Sequence, residues 1–419
     1  MTPALDRDPA VPQRDQLLDE TLVGERLARV LGPDGPLDID DCRQLRVKYR
    51  VGARLRVVHR VDVGSTSFDV AASTFRSADR SERAYAQAWA QQVPSGLVRP
   101  VAHDRELRTV FWTFPNDRKI AHLPEPAGPA PELADLLPAW SRSALASYAP
   151  EKAATFRCLD RAGRTLAYAK VYAGDEGERA GHVHDTLTRA LPDDDPDLRL
   201  PRSLAYSPPH RTLLIEAVEG TPLLAPEVAD ARAAYRRLGR ALARLHGLAP
   251  PDRTRFRRSD PDRLVAAADL IGCVRSDVAA QARALARAIS ALVDPDASAV
   301  CLHGDVNFRN ALLDDGRVAL IDLDQVAAGP LAAELGSVLA SLRYAGVVGL
   351  LPPAVVPELA ASFVSGYAEL RRPPRDAALR AHTAAALLTE RSLRVVTRVR
   401  PEGLRRLPAL LEEAQEALG

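Results

Sequence analysis

Lysine is scarce in this 419-residue chain. Only Lys48, Lys119, Lys152 and Lys170 are lysines, and the remaining members of the 56 Lys and Arg residues are arginines. Arginine offers a planar fork of donors, whereas lysine offers a compact ammonium group. A lysine inside an apolar strand of such a chain therefore indicates a need for a compact charge, and Lys170 lies in such a strand.

Cysteine and long apolar runs are also scarce. No C-x-x-C pair occurs, which argues against a zinc site and against a disulfide framework. We expect all the cysteines to be small buried residues; they are Cys42, Cys158, Cys273 and Cys301. The longest apolar candidate, 347–356, is broken by Pro352 and Pro353 and is far shorter than the ~20 residues of a membrane span. Residues 1–14 contain no apolar targeting segment, so we expect a cytoplasmic protein without a membrane partner.

The charges nearly cancel, with 56 basic and 55 acidic residues and a net charge of +1. We therefore expect no general attraction to nucleic acid. An apolar content of 46% and a charged content of 26% are typical of a globular protein. The length indicates two or three domains.

Two stretches of the sequence have a similar layout. Residues 45–58 alternate apolar and polar side chains around Val51-Gly52 and predict a pair of strands, and residues 148–172 repeat the pattern about a hundred residues later. Superposing Tyr49 on Tyr148 places Ala71 opposite Lys170. The two stretches are either a degenerate repeat, in which only the second copy has the lysine, or two unrelated hairpins.

The order of the remaining segments predicts an α+β chain with a two-lobed, protein-kinase-like fold. Its parts are a small β-rich upper lobe, a mainly helical lower lobe and an added N-terminal α/β domain. We predict domains at 1–125, 126–218 and 219–419, with a linker over 124–138. Helices are predicted over 178–191, 231–248, 262–293 and 331–419, and a strand over 212–218.

The most informative motif is Leu302-His303-Gly304-Asp305-Val306-Asn307-Phe308-Arg309-Asn310, followed by Ile321-Asp322-Leu323-Asp324. Phosphoryl transfer needs a carboxylate that accepts the proton of the acceptor hydroxyl, and Asp305 is the candidate base. Magnesium prefers hard oxygen ligands, which Asn310 and Asp322 offer. Asp324 is open to two interpretations, as a ligand of a second ion or as a solvated loop residue.

The geometry of this motif follows from short strands. Residues 299–302 enter the loop, and 311–313 and 318–321 leave it as a hairpin. We expect this arrangement to bring Asp305 and Asp322 to the same end of one small sheet. His303 and His246 lack the spacing of a zinc site, and we interpret both as structural.

The other parts of a nucleotide site are less sharply marked. Lys170 is the candidate cation for the ATP phosphates, with Asp185 or Glu178 of the following helix as its partner. Adenine would be held by the backbone of Glu216, Ala217 and Val218. No G-x-G occurs in residues 148–155, so another turn or side chains must cover the phosphates.

These motifs, with Gly329-Pro330 and Glu334-Leu335-Gly336, resemble the aminoglycoside phosphotransferase and choline kinase family. Residues 238–246 look like the helix that follows the hinge in that family. The resemblance covers about 145–345 and implies that Asp305 is the base, that Asn310 and Asp322 are metal ligands, and that Lys170 binds phosphate. It also implies ATP and Mg²⁺ as cofactors. Glu334 stands where the family commonly has Asp.

The resemblance implies a kinase acting on a hydroxyl of a small molecule, such as a sugar, an antibiotic or a related metabolite. Residues 371–406 contain ten arginines against Asp376, Glu390 and Glu402, and a polycationic aminoglycoside would prefer an acidic wall. We therefore favour a neutral or anionic acceptor, unless these arginines form a solvated face paired with acids elsewhere. A peptide or protein Ser/Thr kinase of a biosynthetic pathway and a nucleotide-binding pseudokinase scaffold are the alternatives.

Overall fold

The structure is a computed structural model that describes residues 5–94, 96–123, 130–223, 230–294 and 298–419. Its N-terminal unit is a five-stranded antiparallel sheet in the order β1-β2-β3-β5-β4. The elements are α1 (Arg14–Leu18), α2 (Glu20–Leu31), β1 (Asp41–Arg50), β2 (Arg54–Val63), β3 (Thr66–Thr74), α3 (Ala78–Ala90), β4 (Val101–Asp104) and β5 (Thr109–Thr113). Strands β1 and β2, which the alternating sequence predicts, pair in antiparallel orientation. Gly52 at φ +67° lies in the turn between them.

A second five-stranded antiparallel sheet repeats this topology. Its order is β6-β7-β8-β11-β10, and a helix again follows the third strand. The elements from α4 onward are α4 (Pro131–Leu136), β6 (Arg142–Ala149), β7 (Ala153–Leu159), β8 (Thr165–Tyr172), α5 (Glu176–Ala190), β9 (Leu198–Arg199), β10 (Ser203–Ser207) and β11 (Thr212–Glu216). Strand β9 is not in this sheet but pairs with a strand of the lower lobe.

The two sheets share a hydrophobic core. Trp112 of β5 and Phe156 of β7 belong to it, and the indole Nε1 of Trp112 donates to the hydroxyl of Tyr148 at 2.7 Å. That hydroxyl donates in turn to the buried carboxylate of Asp117, also at 2.7 Å. Ala71, the counterpart of Lys170, is 1% exposed in this core. A lysine ammonium at position 71 would be buried between the sheets, where desolvation opposes its charge.

The lower lobe is mainly helical and contains two small sheets, with the orders β12-β14-β15-β9 and β13-β16. Its elements are β12 (Thr221–Pro222), α6 (Ala231–Leu245), α7 (Pro261–Gly272), α8 (Ala279–Ser290), β13 (Ala299–Leu302), β14 (Ala311–Asp314), β15 (Arg317–Leu320), β16 (Ala327–Pro330), α9 (Leu331–Val347), α10 (Val356–Ala368), α11 (Asp376–Ala386), α12 (Leu393–Thr397), α13 (Pro401–Arg405) and α14 (Leu407–Leu418). A π-helical segment, Leu387–Ser392, joins α11 to α12.

The N-terminal unit also packs against the lower lobe. One continuous hydrophobic cluster joins Tyr49 and Leu55 of its sheet to Ile271 of α7 and Val396 of α12. The unit therefore lies between the second sheet and the last helices of the chain, where the sequence alone gives no reason to place it.

The structure confirms the predicted α+β architecture with a β-rich upper lobe, a helical lower lobe and an added N-terminal sheet. Three smaller predictions were wrong. Strand β13 pairs with β16 rather than sharing a sheet with the β14–β15 hairpin. Cys273, unlike the other cysteines, is exposed because it follows the end of α7.

The third correction concerns the linker. Residues 124–129 lie outside the described residues, but Pro131–Leu136 form α4, since Pro131 suits the first helical position and Leu133 is buried. In the described ranges, no helix is long and apolar enough to cross a membrane.

Candidate active site

A buried carboxylate of α9 holds the loop that carries Asp305. Glu334 accepts the backbone N–H groups of His303 at 2.9 Å and of Gly304 at 2.7 Å. It also accepts from Nε2 of His246, at the end of α6, at 3.1 Å. Burial raises the pKa of Glu334, but these hydrogen bonds and the neighbouring imidazoles outweigh burial, so its pKa is lowered. Glu334 therefore stays ionised and ties three chain segments together.

The residues before Asp305 fix the course of the loop. Gly304 has φ +78°, and a Cβ on it would lie 2.1 Å from the carbonyl oxygen of Gln325. Nε2 of His303 donates to the carbonyl of Ile321 at 2.9 Å, and its Nδ1 accepts the N–H of Asp305 at 3.3 Å. These bonds confirm the structural role predicted for His303.

The carboxylate of Asp305 faces arginines of the lower lobe. Its Oδ1 lies 2.9 Å from Nη2 of Arg394 and 3.7 Å from Nη1 of Arg258, while 24% of its side chain is exposed. The backbone carbonyl of Asp305 accepts from Nδ2 of Asn307 at 2.9 Å and from Nδ2 of Asn310 at 3.0 Å. The loop thus leaves this carboxylate within reach of an incoming hydroxyl.

Asn310 and Asp322 lie at the same end of the β14–β15 hairpin. The N–H of Ile321 donates to the carbonyl of Asn310 at 2.9 Å, and Asp322 follows with the left-handed angles φ 64° and ψ 62°. Since Nδ2 of Asn310 bonds within the loop, its Oδ1 is the atom available to a metal. Among the described residues no group of three or more His, Cys, Asp or Glu side chains could hold a metal ion. A magnesium ion on these two oxygens would take water and phosphate as its other ligands, which suits its chemistry.

Lys170 projects from β8 toward the hairpin. Its Nζ lies 2.7 Å from Oδ1 of Asp322 and 2.9 Å from Oδ2 of Asp324, and only 13% of its side chain is exposed. Burial lowers the pKa of Lys170, but Asp324 and Asp322 outweigh burial and raise it. Burial likewise raises the pKa of Asp322, and Lys170 lowers it overall. The ammonium of Lys170 and the carboxylate of Asp322 are therefore charged at neutral pH.

The structure does not bring Asp185 to Lys170. Helix α5 turns Asp185 toward solvent and buries its neighbour His184, whose Nδ1 donates to the carbonyl of Pro201 at 2.7 Å. Asp324 takes the place of the expected helix carboxylate. It also accepts from the hydroxyl of Tyr172 at 3.0 Å, so it is not the solvated loop residue that one interpretation allowed.

The predicted adenine hinge follows β11. The carboxylate of Glu216 is bound by the guanidinium of Arg199 and by the N–H of Arg202, each at 3.0 Å. Val218, in contrast, has no hydrogen bond from its backbone N–H or C=O to any described residue. The free backbone groups of this segment are those that a nucleobase would use.

The turn between β6 and β7 contains no glycine. Glu151 in this turn has φ +58°, and its buried carboxylate lies 2.6 Å from Arg118, 3.1 Å from Arg54 and 3.5 Å from Arg56. The N-terminal unit therefore fixes this turn by ion pairs. Lys152, the next residue, is exposed.

Sequence reasoning missed two contributors to this site. Arg258 gave no signal because it lies in a loop between helices. Arg394 was visible as a member of the arginine-rich region, but its contact with Asp305 depends on the π-helical segment before α12.

Solved structures that are similar to the chain include kinases and phosphotransferases. The aminoglycoside phosphotransferase APH(3'')-Id of Streptomyces rimosus is 22% identical, over 65% of this chain and 94% of that one, with a TM-score of 0.42. A macrolide 2'-phosphotransferase of Brachybacterium faecium is 19% identical, over 66% and 91%, with a TM-score of 0.40. An amicoumacin kinase solved with AMP-PNP and Ca²⁺ is 12% identical, over 65% and 88%, with a TM-score of 0.47.

No curated protein matches the chain. A family model, described as the phosphotransferase enzyme family (APH), matches residues 97–376. This match spans most of the chain and confirms the resemblance noted in the sequence. It includes the second sheet, the hinge, the Asp305 loop and the hairpin with Asp322. The chain belongs to the phosphotransferase enzyme family.

Proposed function

We propose that this protein transfers the γ-phosphoryl group of ATP, with Mg²⁺, to a hydroxyl of a small molecule. The convergence of Lys170, Asp322 and the Asp305 loop in one cleft carries the proposal. Family membership supports the transfer of phosphate, and the partly exposed carboxylate of Asp305 supports its role as base. A cytoplasmic location, where ATP is available, is part of the same proposal.

In the proposed reaction, Asp305 accepts the proton of the acceptor hydroxyl while the hydroxyl oxygen forms a bond to the γ-phosphorus. The bond from that phosphorus to the β-γ bridging oxygen breaks, and ADP leaves. Lys170 neutralises charge on the α- and β-phosphates, and the backbone around Glu216 and Val218 positions the adenine ring. Mg²⁺, held by Asn310 and Asp322, would supply charge neutralisation on the phosphate oxygens.

The arginines near Asp305 support an acceptor that is not a polycation. Arg394 and Arg258 both face the candidate base, and Arg391 is largely buried beside Ser341 rather than forming part of a solvated face. A polycationic aminoglycoside would meet like charge here. The carboxylate of Asp305 is only partly exposed, which favours a small molecule over the alternative of a peptide substrate.

We further propose that the N-terminal unit, 1–125, is a second copy of the upper lobe that has lost its nucleotide site. The shared strand order supports this, as does the small residue Ala71 at the position of Lys170. The proposed boundaries leave 126–218 as the working upper lobe and 219–419 as the lower lobe.

The test measures ADP release and phosphorylated product with Mg²⁺ and ATP against a panel of sugars, antibiotics, sugar acids and peptides. Asp305→Ala is expected to lose transfer while still binding ATP, and Glu412→Ala, an exposed acid on α14, serves as the control. Full activity in Asp305→Ala would remove Asp305 as the base. ATP binding without transfer to any acceptor in the unmodified protein would favour the pseudokinase alternative.

A further inference from the structure

A cavity of about 640 Å³ opens beside Asp305, and arginines dominate its charged lining. The N-terminal unit, strand β6, the Asp305 loop and the end of α12 form its walls. Its charged lining residues are Arg46, Arg60, Arg309, Arg394, Arg398 and Arg400, against the single acid Asp69. Arg60 and Asp69 pair with each other, so the remaining arginines leave the cavity strongly positive.

Several of these cations have no acidic partner. Arg46 donates to the carbonyl of Tyr148 at 3.2 Å, and Arg398 donates to the carbonyl of Val47 at 3.3 Å. In the described parts of the chain, neither guanidinium has a carboxylate within 4 Å. The same is true of Lys48, which lines a small adjoining cavity together with Arg46 and Arg398. All three residues are partly buried, and charged groups that are withdrawn from water are normally paired.

The cluster is costly in the absence of an anion. Burial, with a smaller contribution from the neighbouring cations Arg56, Lys152, Arg398 and Arg50, lowers the pKa of Lys48 to about 8. Burial and neighbouring arginines also lower the pKa of Arg398 to about 10. Binding sites often contain groups whose charged form is disfavoured by burial and by like charges. A ligand of opposite charge relieves this repulsion.

The position of the cavity connects it to the reaction. Arg394 lines the cavity and also contacts Asp305 at 2.9 Å. A molecule in the cavity can therefore present a hydroxyl to Asp305 while another of its groups reaches the cations of β1 and α12. The N-terminal unit contributes Arg46 to this cavity and Lys48 to the adjoining one.

We propose that the acceptor carries an anionic group, a phosphate or a carboxylate, and that Arg46, Lys48 and Arg398 bind this group while its hydroxyl faces Asp305. This inference rests on the proposed phosphotransferase function. It gives the N-terminal unit a direct part in binding the acceptor. The same oxyanion chemistry could come from the γ-phosphate of the nucleotide, and the experiment separates the two sources.

The probe is inorganic phosphate, measured by calorimetry on the full-length protein with the cleft filled by AMP-PNP and Mg²⁺. Phosphate is expected to bind the unmodified protein. Binding should weaken at least tenfold in Arg398→Gln and in Lys48→Met. Lys119→Met removes an exposed lysine outside the cavity and should bind phosphate as the unmodified protein does. Thermal unfolding of each variant shows whether it is folded.

Two results would overturn the inference. Phosphate binding that disappears when AMP-PNP is present assigns the cations to the nucleotide, and equal binding by all variants removes them from any anion site. A transfer assay with neutral sugars, sugar phosphates, sugar acids and a polycationic aminoglycoside completes the test, with the anionic acceptors expected to give the highest kcat/KM. Failure of the proposed phosphotransferase function can be distinguished from failure of this inference. If only the function fails, phosphate still binds the cavity, but no acceptor is phosphorylated.

Discussion

The guanidinium of Arg394 lies 2.9 Å from the carboxylate of Asp305. The two residues are far apart in sequence, and α12 carries Arg394 into the site directly after a π-helical segment, a feature that is frequent at functional sites. Burial lowers the pKa of Arg394, but Asp305 outweighs burial and raises it. The guanidinium of Arg394 therefore stays charged beside this carboxylate.

Arg394→Gln tests whether this arginine positions the candidate base. The variant loses the charged hydrogen bond to the carboxylate of Asp305. We expect kcat/KM to fall about 10- to 100-fold near neutral pH, as for a lost charged hydrogen bond, while the KM for ATP stays unchanged. Arg394→Lys retains the charge and should recover part of the activity. Full activity in the Gln variant would contradict this role.

Asp324→Asn tests the partner of Lys170. Removing one of two carboxylates that hold the ammonium should weaken ATP binding by roughly 10-fold, the effect of one charge-assisted hydrogen bond. Nucleotide titration with Mg²⁺ measures this, and KM for the acceptor should not change. Asp315→Asn, in the exposed β14–β15 turn, is the matched control. Equal ATP affinity in both variants would contradict the assigned partnership.

Glu334→Gln should destabilise the fold and disable the loop. Three donors, on His246, His303 and Gly304, share the two carboxylate oxygens, whereas Gln offers one oxygen and a conflicting NH₂ group. We expect the free energy of unfolding to fall by about 2–3 kcal/mol in denaturant titration. Since the pKa of Glu334 is lowered in the folded protein, its stabilisation is present above its ordinary value of 4.5 and disappears as the pH falls through the folded pKa. The difference between the two proteins should therefore shrink in acid.

Gly304→Ala should displace the Asp305 loop. The new Cβ would meet the carbonyl of Gln325 at 2.1 Å, in addition to the strain of φ +78°. Gly316→Ala is the matched control, because Gly316 has φ +91° but nothing within 4 Å of the added atom. We expect the control to lose roughly 1–2 kcal/mol of stability from backbone strain alone. Gly304→Ala should lose more than that and also its transfer activity; equal effects would show that the contact relaxes.

Lys48→Met should stabilise the protein at neutral pH. The ordinary pKa of 10.5 is lowered to about 8 in the folded state, so between these values the unfolded state binds more protons and stability rises with pH. Replacing Lys48 removes this cost, which we put at about 1–3 kcal/mol at pH 7. Denaturant titrations at pH 7 and above pH 10 measure it. The gain should be absent in Lys119→Met and should vanish at the higher pH.

Much of the fold was predictable because its elements are locally encoded. The alternation in residues 45–58 and the helical period of residues 231–248 predicted β1, β2 and α6, which the structure contains. The strands that were missed, such as β9 and β16, are two to four residues long and form only because a distant partner pairs with them. No local pattern marks such strands.

Some residues of the candidate site were likewise predictable from the sequence, and others were not. Asp305, Asn310 and Asp322 were found from their spacing, because one loop and one hairpin carry them. The partner of Lys170 was not, since the helical phase of α5 buries His184 and exposes Asp185, and Asp324 reaches the ammonium across the cleft. Neighbouring residues of a helix point in different directions, so an error of one residue in a prediction changes which side chain is expected to face inward.

The sequence by itself determined the family, the candidate phosphoryl-transfer residues and the two-lobed order of elements, because each depends on residues near one another in the chain. Only the tertiary structure placed Arg394 against Asp305 and the basic face of β1 beside the last helices. Those contacts join segments separated by hundreds of residues, and packing of the hydrophobic core between them sets their geometry. The proposed binding of an anionic acceptor therefore depends on the assembled cavity, not on any single motif.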